Sequence, residues 1–297
     1  MNILITGGTG LIGQALIKRW QAEHEITVYS RSAEKVKRLF GHQMVCCTTI
    51  EQLDISRYDA VVNLAGEPIA DKRWSNKQKK RICHSRWQLT EQLSLKIQQA
   101  NPAPKVFISG SAIGFYGRQD ANRIDESHTD FYPEFSHDIC ARWENLAQRA
   151  ASEQTRVCLL RTGIVLAEKG GALKKMIPPF KLGLGGKMGD GQQYMSWIHL
   201  TDMVAIIDFL LCHSELSGPV NATAPRAVSN SVFSDALAAR LGKKARFPMP
   251  AFMARLLFGE MADLLLYGQN VYPQKLLQAG FEFQFSDVKA ALQELDL

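Results

Sequence analysis

The chain has 297 residues, of which 46% are hydrophobic and 22% are charged, and its formal net charge is +6 at pH 7. This composition excludes disordered and fibrous proteins, and the length suits one large α/β unit or a main domain with a smaller lobe. The longest apolar run, residues 203–212, contains Asp208 and is shorter than the roughly 20 residues that a membrane span needs. The sequence therefore predicts no membrane partner.

Strands and helices alternate through the first two hundred residues, a pattern typical of a parallel sheet covered on both faces. The predicted strands are residues 2–6, 25–29, 44–47, 60–64, 105–110 and 156–161. The predicted helices are residues 11–22, 33–40, 76–99 and 136–151. The third helix ends at NPAP because proline cannot continue it.

The pattern changes after the last of these strands. Residues 167–196 are rich in glycine and proline and predict a loop-bearing segment over a site. Helix resumes at HLTDMVAIIDFLL, where Thr201 and Asp202 are placed to cap it. We predict a main domain of residues 1–228, with 167–196 contributing to a substrate cleft, and a mostly helical C-terminal lobe of residues 229–297.

The six cysteines show no C-x-x-C pair and no Cys/His spacing that suits zinc, so we expect no metal site. Scattered thiols are typical of a reducing compartment, and MNILITGG lacks the basic region and cleavage site of a signal peptide. We therefore expect a cytoplasmic protein.

Much of the positive charge lies in residues 71–86. We interpret this cluster as a solvated helix face, and an alternative is that one or two of its cations face a cofactor phosphate. No nucleic-acid-binding motif accompanies the cluster, so we expect no nucleic-acid partner.

The segment MNILITGGTGLIGQAL places Gly7, Gly8, Gly10 and Gly13 between the first strand and the first helix. In this context the glycines predict a dinucleotide-binding turn, because they allow a tight turn and a close approach of the backbone to a pyrophosphate. The N-terminus of the following helix would stabilise the phosphate charge.

The end of the second strand distinguishes between the two nicotinamide dinucleotides. NAD-binding folds commonly end this strand with Asp or Glu, which binds the ribose 2′-hydroxyl. Here the strand ends in TVYSRS, with Ser30 and Arg31 and no acid nearby. An arginine can pair with a 2′-phosphate through its fork of donors, so we predict NADP as the cofactor. An exposed loop cation is the alternative.

Several motifs resemble those of the extended short-chain dehydrogenase/reductases, in the epimerase/dehydratase branch. They are TGGTGLIG, NLAG, SGSAIGFYG, RTGIVL and WIHLTDM. The longer segments NLAGEPI, RWENLA and PFKLGLGGKMGDGQQYMSWIHLTD look like an uncharacterised subgroup, similar to nucleoside-diphosphate-sugar epimerases and sometimes labelled as related to cell division. The resemblance covers essentially the whole chain and implies a Rossmann-type doubly wound parallel sheet.

The resemblance also implies where the cofactor binds. The implied contacts are Gly7, Thr9, Gly10, Leu11, Ile12, Gly13, Ser30, Arg31, Leu64, Ala65, Ser109 and Val165. On the long helix the family usually has an N-x-x-x-T pattern, and here Arg86 stands ahead of Thr90. We expect Arg86 to lie near the cofactor phosphates.

In the family a Tyr-x-x-x-Lys pair moves the hydroxyl proton, and the lysine lowers the pKa of the tyrosine. No tyrosine in this chain is followed by lysine four positions later. The family pattern Y-x-x-S-K-x-x-x-E falls on the helix containing ICARWENLA, where Ile139 stands for Tyr and Trp143 for Lys. Neither can move a proton at neutral pH, and Glu144 is expected to face solvent.

Three residues are candidates for the catalytic role. Ser111 keeps the family serine and could donate a hydrogen bond to a carbonyl oxygen, and Tyr116 in GFYG could donate a proton on the substrate side. His199 titrates near neutrality, but a structural hydrogen bond at a helix start is the favoured role. Cys140 is interpreted as a packed thiol.

Two functions are compatible with these residues. The first is an NADP-dependent oxidoreductase or epimerase that acts on a sugar-like small molecule by hydride transfer. Residues 181–191 would then form a mobile loop over the substrate cleft, and Arg161, Lys187 and Gln193 could contact a substrate phosphate. The second is a catalytically silent NADPH-binding regulatory or scaffold protein. A homodimer is compatible with either.

Overall fold

The computed structural model describes all 297 residues. Its strands are β1 (Asn2–Thr6), β2 (Glu25–Tyr29), β3 (Val45–Cys47), β4 (Ala60–Asn63), β5 (Val106–Ala112), β6 (Arg123–Ile124), β7 (Arg156–Thr162), β8 (Ile164–Leu166), β9 (Tyr194–Met195), β10 (Trp197–His199), β11 (Gly218–Ala222), β12 (Val228–Ser229) and β13 (Asn270–Val271). Its α-helices are α1 (Leu11–Trp20), α2 (Ala33–Phe40), α3 (Asn76–Gln99), α4 (Phe135–Gln148), α5 (Gly171–Lys181), α6 (Leu200–Cys212), α7 (Asn230–Arg240), α8 (Ala251–Phe258), α9 (Asp263–Leu266), α10 (Gln274–Gln278) and α11 (Val288–Glu294).

Seven strands form one parallel sheet in the order β11-β7-β5-β4-β1-β2-β3. The strand order reverses between β1 and β4, and in open sheets of this type a ligand binds at the carboxyl ends of the strands beside the reversal. This arrangement confirms the α/β class and the Rossmann-type sheet with a helical C-terminal region. No helix in the structure combines the length and the apolarity needed to cross a membrane.

Apolar side chains bury the sheet on both faces. In β1, Ile3 and Ile5 pack on one face with residues of α1 and α6, while Leu4 packs on the other face with residues of α3 and α4. All three side chains are fully buried. This double burial explains why the central strands read as continuous apolar runs in the sequence.

The sequence pattern misses the edge strand β11, which pairs with β7. Its sequence GPVNA contains Gly218, Pro219 and Asn221, which are residue types depleted in strands. An edge position tolerates proline because one side of the strand forms no ladder hydrogen bonds. The other predicted strands and helices of the main sheet are confirmed, with ends that differ by a few residues.

The loop predicted for residues 167–196 is partly wrong, because α5 lies within it. The helix contains Pro178 and Pro179, which remove internal hydrogen bonds, but it is held by the burial of Leu173 and Phe180. Phe180 lies so close to Gly185 that a Cβ on this glycine would be 2.3 Å from the Phe180 ring. Tertiary packing therefore stabilises a helix that local sequence disfavours.

A second hydrophobic core forms around the C-terminal helices. Phe233 of α7 and Leu292 of α11 pack there with Leu173 of α5 and Trp197 of β10. Parts of residues 164–199 thus share a core with the lobe, while the boundary between residues 228 and 229 stays a prediction.

Candidate functional site

The glycine turn joins β1 to α1 at the carboxyl edge of the sheet. Gly7 has a φ of +70°, and a Cβ there would lie 2.5 Å from the carbonyl carbon of Leu64. A Cβ on Gly13 would lie 2.5 Å from the carbonyl oxygen of Gly7. No side chain caps α1 at Gly10, so the amides of its first turn remain available to an anion.

A cleft of about 1010 Å³ opens beside this turn. Of the sequence-predicted cofactor residues, the following line its walls: Gly7, Thr9, Gly10, Ser30, Arg31, Leu64 and Ala65. The remaining ones lie outside these walls: Leu11, Ile12, Gly13, Arg86, Ser109 and Val165. Ser109 is fully buried within β5, so its side chain cannot reach a ligand and can only support the strand.

One wall of the cleft is formed by the start of α2. Ser32 caps this helix by accepting a hydrogen bond of 3.2 Å from the backbone N–H of Lys35. Arg31 and Lys35 both line the cleft, are exposed, and form no ion pair. Sequence reasoning missed Lys35, although its position four residues after Arg31 on a helix start is a readable signal.

The opposite wall comes from α3. Lys77, Lys80, Arg81 and His84 line the same cleft, so part of the basic cluster faces the nucleotide site, as in the alternative interpretation of the sequence. Lys79, by contrast, pairs with Glu260 outside the cleft.

Arg86 is held near the turn that follows β4. Its Nη1 donates to the carbonyl oxygens of Glu67 at 3.0 Å and Ile82 at 3.1 Å. Its guanidinium carbon lies 5.2 Å from the centre of the Trp143 ring. A Cβ on Gly66 would lie 3.0 Å from the same guanidinium carbon. Burial lowers the pKa of Arg86, and no carboxylate pairs with it. Arg86 is thus a cation positioned by backbone carbonyls beside the carboxyl edge of the sheet.

A buried ion pair lies at the end of β5. Arg161 donates from Nε and Nη2 to the two carboxylate oxygens of Glu144, at 2.9 and 2.8 Å. Ser111 Oγ donates to Glu144 Oε1 at 2.6 Å. The side chains of Arg161 and Glu144 are only 4% and 7% exposed, so the expectation of a solvent-facing Glu144 is wrong.

Tyr116 belongs to the same network and does not line the cleft. Its hydroxyl accepts a hydrogen bond of 3.0 Å from Arg161 Nη1 and donates to Asn221 Oδ1 at 2.8 Å. The residue is fully buried, and burial raises the pKa of its phenol. Its observed contacts join β7 to β11 and are structural.

The face of α4 that lies against Ser111 carries Ser136, Cys140 and Glu144. A Cβ on Gly114, in the turn after β5, would be 3.2 Å from Ser136 Cβ and 3.8 Å from Cys140 Sγ. When the family pattern Y-x-x-S-K-x-x-x-E is aligned on Glu144, Ser136 and Cys140 fall at the Tyr and Lys positions. This register differs from the one that placed Ile139 and Trp143 there, and it is the one whose residues share the face of α4 toward Ser111. Burial raises the pKa of Cys140 to about 12, so its thiol stays neutral.

Trp143 belongs to a separate buried hydrogen-bond network. Its indole Nε1 donates to Thr90 Oγ1 at 2.9 Å, and Asn63 Nδ2 donates to the same oxygen at 2.8 Å. Thr6 Oγ1 in turn donates to Asn63 Oδ1 at 2.6 Å. This buried chain of hydrogen bonds connects α4 and α3 to the central strands.

His199 caps α6, and this confirms the structural hydrogen bond favoured from the sequence. Its Nδ1 accepts a hydrogen bond of 3.2 Å from the backbone N–H of Thr201, and its ring packs 4.1 Å from the ring of Phe285. Burial lowers the pKa of His199. Asp202 was expected to cap the same helix but instead accepts from the backbone N–H groups of Gln284 and Phe285.

The candidate substrate contacts are occupied within the protein. Arg161 binds Glu144, and Lys187 Nζ donates to the carbonyl oxygen of Asp190 at 3.0 Å. Gln193 Nε2 donates to the carbonyl oxygens of Met188 and Leu265.

Known proteins resemble this chain along its whole length. Residues 3–222 match the NAD dependent epimerase/dehydratase family. The chain belongs to this family. Residues 249–295 match a domain of unknown function. The human epimerase family protein SDR39U1 is 34% identical over 99% of this chain and 99% of its own length. A chloroplastic homologue from Arabidopsis thaliana is 36% identical over 99% of this chain and 86% of its own.

Solved structures of epimerase-family proteins agree with the fold. The crystal structure of human SDR39U1 with NADPH has a TM-score of 0.91 at 33% identity and covers 100% of both chains. A nucleoside-diphosphate sugar epimerase from Corynebacterium glutamicum has a TM-score of 0.76 at 28% identity, covering 98% of this chain and 57% of that one. A Bacillus cereus UDP-glucuronic acid 4-epimerase has a TM-score of 0.77 at 15% identity, over 99% of this chain and 97% of that one, and shows the fold alone.

Removal of Glu144 should strongly destabilise this epimerase-family fold. Glu144→Leu leaves the buried Arg161 without its carboxylate, and we expect the free energy of unfolding to fall by about 3–5 kcal/mol. The double variant Glu144→Leu/Arg161→Met should recover most of this loss. Urea denaturation measures both. The control is Glu91→Leu, because the Glu91–Arg149 pair is about half exposed and should contribute less than about 1 kcal/mol. An equal cost for both single variants would contradict the expectation.

Stability should depend on pH through His199. Because burial lowers its folded-state pKa, His199 is neutral in the native protein while the unfolded chain binds a proton below a pH of about 6.5. The free energy of unfolding should therefore fall as the pH drops below that value. His199→Asn keeps a capping side chain and should weaken this dependence. Denaturation at pH 7.5 and 5.5 tests it, and an unchanged pH dependence in the variant would refute the assignment.

Proposed function

We propose that the protein binds NADP(H) at the carboxyl edge of its sheet. The observation that carries the proposal is the pair Arg31 and Lys35, which lines the same cleft as the glycine turn and has no acidic partner. Two cations beside a helix start suit a 2′-phosphate, whereas NAD-specific sites place an acid there. The crystal structure of the similar human SDR39U1 contains NADPH, which supports the same choice.

Each part of the cleft then has a role. The pyrophosphate would be held by Gly7, Thr9, Gly10, Leu11, Ile12 and Gly13, and the 2′-phosphate by Ser30, Arg31 and Lys35. The adenosine side would lie against Leu64 and Ala65. The nicotinamide end would be supported by Ser109 and Val165. Lys80 and Arg81 line the cleft from α3 and would face the phosphates. Arg86 lies outside the lining of the cleft but is held by the carbonyl oxygen of Glu67, which does line it, and we retain Arg86 as a phosphate-side residue.

The choice of cofactor can be tested by binding. We expect Arg31→Ala and Lys35→Ala each to weaken NADPH binding about tenfold, as for the loss of one hydrogen bond to a charged group, and to leave NADH binding nearly unchanged. Titration calorimetry measures both ligands. Lys79→Ala is the matched control, because Lys79 pairs with Glu260 away from the cleft. Equal losses for NADPH and NADH would argue against a 2′-phosphate site.

We further propose that the bound cofactor serves an oxidoreductase or epimerase reaction on a sugar-like hydroxyl or carbonyl compound. The cofactor supplies hydride transfer at the nicotinamide. Ser111 gives its hydrogen to Glu144, so its oxygen offers lone pairs to a partner. Ser111 is 5% exposed and stands outside the lining of the cleft, so a substrate hydroxyl would have to reach it beyond that lining. There it would donate to the Ser111 oxygen, contrary to the expectation that Ser111 donates to a carbonyl, and this favours the alcohol form of the substrate.

A catalytically silent NADPH-binding regulatory or scaffold protein is the second candidate. It is favoured by the α4 face opposite Ser111, where Cys140 has a pKa of about 12 and Glu144 is bound by Arg161. No tyrosine or lysine stands on that face to exchange a proton. On this proposal, cofactor binding would control the conformation of the protein or its contact with a partner.

Single-turnover absorbance of the reduced nicotinamide separates the two candidates. The protein is mixed with NADP⁺ and a panel of alcohols and nucleotide sugars, and with NADPH and matching aldehydes and ketones. If turnover occurs, Ser111→Ala should slow it by about a hundredfold, which is the lower range for loss of a positioned proton-transfer partner. Tight NADPH binding without turnover on any compound would leave the scaffold as the function.

A small-molecule ligand and a cytoplasmic location stay predictions for this chain. All six cysteines are free in the structure, which agrees with reduced thiols. A chloroplastic homologue shows that relatives occur in other compartments.

A further inference from the structure

Two adjoining segments, residues 181–187 and residues 241–258 of the C-terminal lobe, carry large apolar side chains in solvent. Leu182 is 75% exposed, Leu256 is 74% exposed and Phe252 is 69% exposed. We call the following seven exposed side chains the apolar patch: Leu182, Leu184, Phe247, Phe252, Met253, Leu256 and Leu257. Single exposed apolar residues are ordinary, but a group of this size on adjoining segments marks an interaction surface.

Helix α8 turns its apolar side outward. Its sequence AFMARLLF buries only Ala254. Phe252, Met253, Leu256 and Leu257 are spaced so that they share one face of the helix. An amphipathic helix normally buries such a face, so this one is available to a partner.

Backbone contacts hold the two segments side by side. The N–H of Met249 donates to the carbonyl oxygen of Lys187 at 2.8 Å, and the N–H of Gly189 donates to the carbonyl oxygen of Met249 at 2.9 Å. A Cβ on Gly186 would lie 2.3 Å from the carbonyl oxygen of Phe247. The apolar patch is therefore assembled from adjoining segments of the fold.

The charge around the apolar patch is mostly positive, and the acids that adjoin the two segments in sequence are Asp190, Glu260 and Asp263. Residues 169–189 and 241–258 contain no Asp or Glu. Their cations are Lys169, Lys174, Lys175, Lys181, Lys187, Lys243, Lys244, Arg246 and Arg255. Lys175 pairs with Asp71 and Arg255 with Asp263, and the others form no ion pair. The surface combines protruding apolar groups with unneutralised positive charge.

We propose that this face binds the surface of a membrane that contains acidic phospholipids. The apolar patch enters the boundary between headgroups and acyl chains, and the surrounding cations contact the lipid phosphates. Such a contact is peripheral and needs no spanning helix. A membrane surface is a partner that the sequence alone does not predict.

Charge and shape favour a membrane over other occupants. A second copy in a twofold dimer would bring the same cations against one another across the interface, and like charges oppose that contact. An acidic protein would need a socket for each protruding side chain, whereas the acyl boundary accepts them without a fixed shape.

Vesicle sedimentation of the full-length protein tests the proposal. We expect binding to vesicles of phosphatidylcholine mixed with phosphatidylglycerol, at least tenfold weaker binding to phosphatidylcholine alone, and loss of binding at high salt. Phe252→Glu/Leu256→Glu should abolish binding, and Lys243→Gln/Lys244→Gln/Arg246→Gln should weaken it. The control Leu95→Glu, at a 49% exposed site on α3, should bind like the parent. NADPH affinity and the thermal midpoint should stay unchanged in every variant, which separates this test from that of the cofactor.

Three results would overturn the proposal. The first is no sedimentation with acidic vesicles at low salt. The second is an equal loss of binding in the Leu95→Glu control and in the variant of the apolar patch. The third is a dimer in sedimentation velocity that Phe252→Glu dissociates, without vesicle binding, which would assign the face to a second copy.

Discussion

The buried ion pair between Glu144 and Arg161 is the interaction on which the arrangement of Ser111 and Tyr116 depends. It joins α4 to β7, and Ser111 attaches β5 to the same carboxylate. Arg161 also binds Tyr116, which in turn binds Asn221 of the edge strand β11. A buried charge is stable only with its partner and its hydrogen bonds in place. The pair therefore determines which face of α4 is turned toward Ser111.

That orientation determines which side chains of α4 lie against the turn after β5. With Glu144 bound by Arg161, the residue one helical turn earlier is Cys140, and two turns earlier is Ser136. Both pack on the turn after β5, and in the alignment on Glu144 they fall at the Tyr and Lys positions of the family pattern. This chain has a hydroxyl and a neutral thiol at those two positions. The family pattern of this helix therefore differs from that of the glycine turn, where the residues match the family motif.

Much of the fold and of the cofactor cleft could be predicted from sequence because both depend on local constraints. The close contacts of Gly7 and Gly13 exclude any side chain, and buried parallel strands read as apolar runs. The edge strand β11 and helix α5 could not be read because long-range pairing and packing override their glycine and proline content. The burial of Glu144 was missed for a related reason. Helical spacing tells which residues share a face, but not which face meets the sheet.

Ser111 links these considerations to function. Its hydroxyl has one hydrogen, and that hydrogen is donated to Glu144, so the oxygen can only accept from a ligand. The carboxylate also accepts from Arg161 Nε and Nη2, and this holds it in place as the acceptor for the Ser111 hydrogen. A substrate alcohol placed at Ser111 would be oriented by this arrangement even without a tyrosine. Orientation beside a bound dinucleotide is a substantial part of catalysis by hydride transfer, since well-aligned reactants avoid the entropy of assembly. The same rigid arrangement would also suit a protein that only senses the cofactor, because the network holds its geometry in either case. What separates an enzyme from a sensor here is therefore whether a proton can leave through Ser111 and Glu144, and not whether the site is well formed.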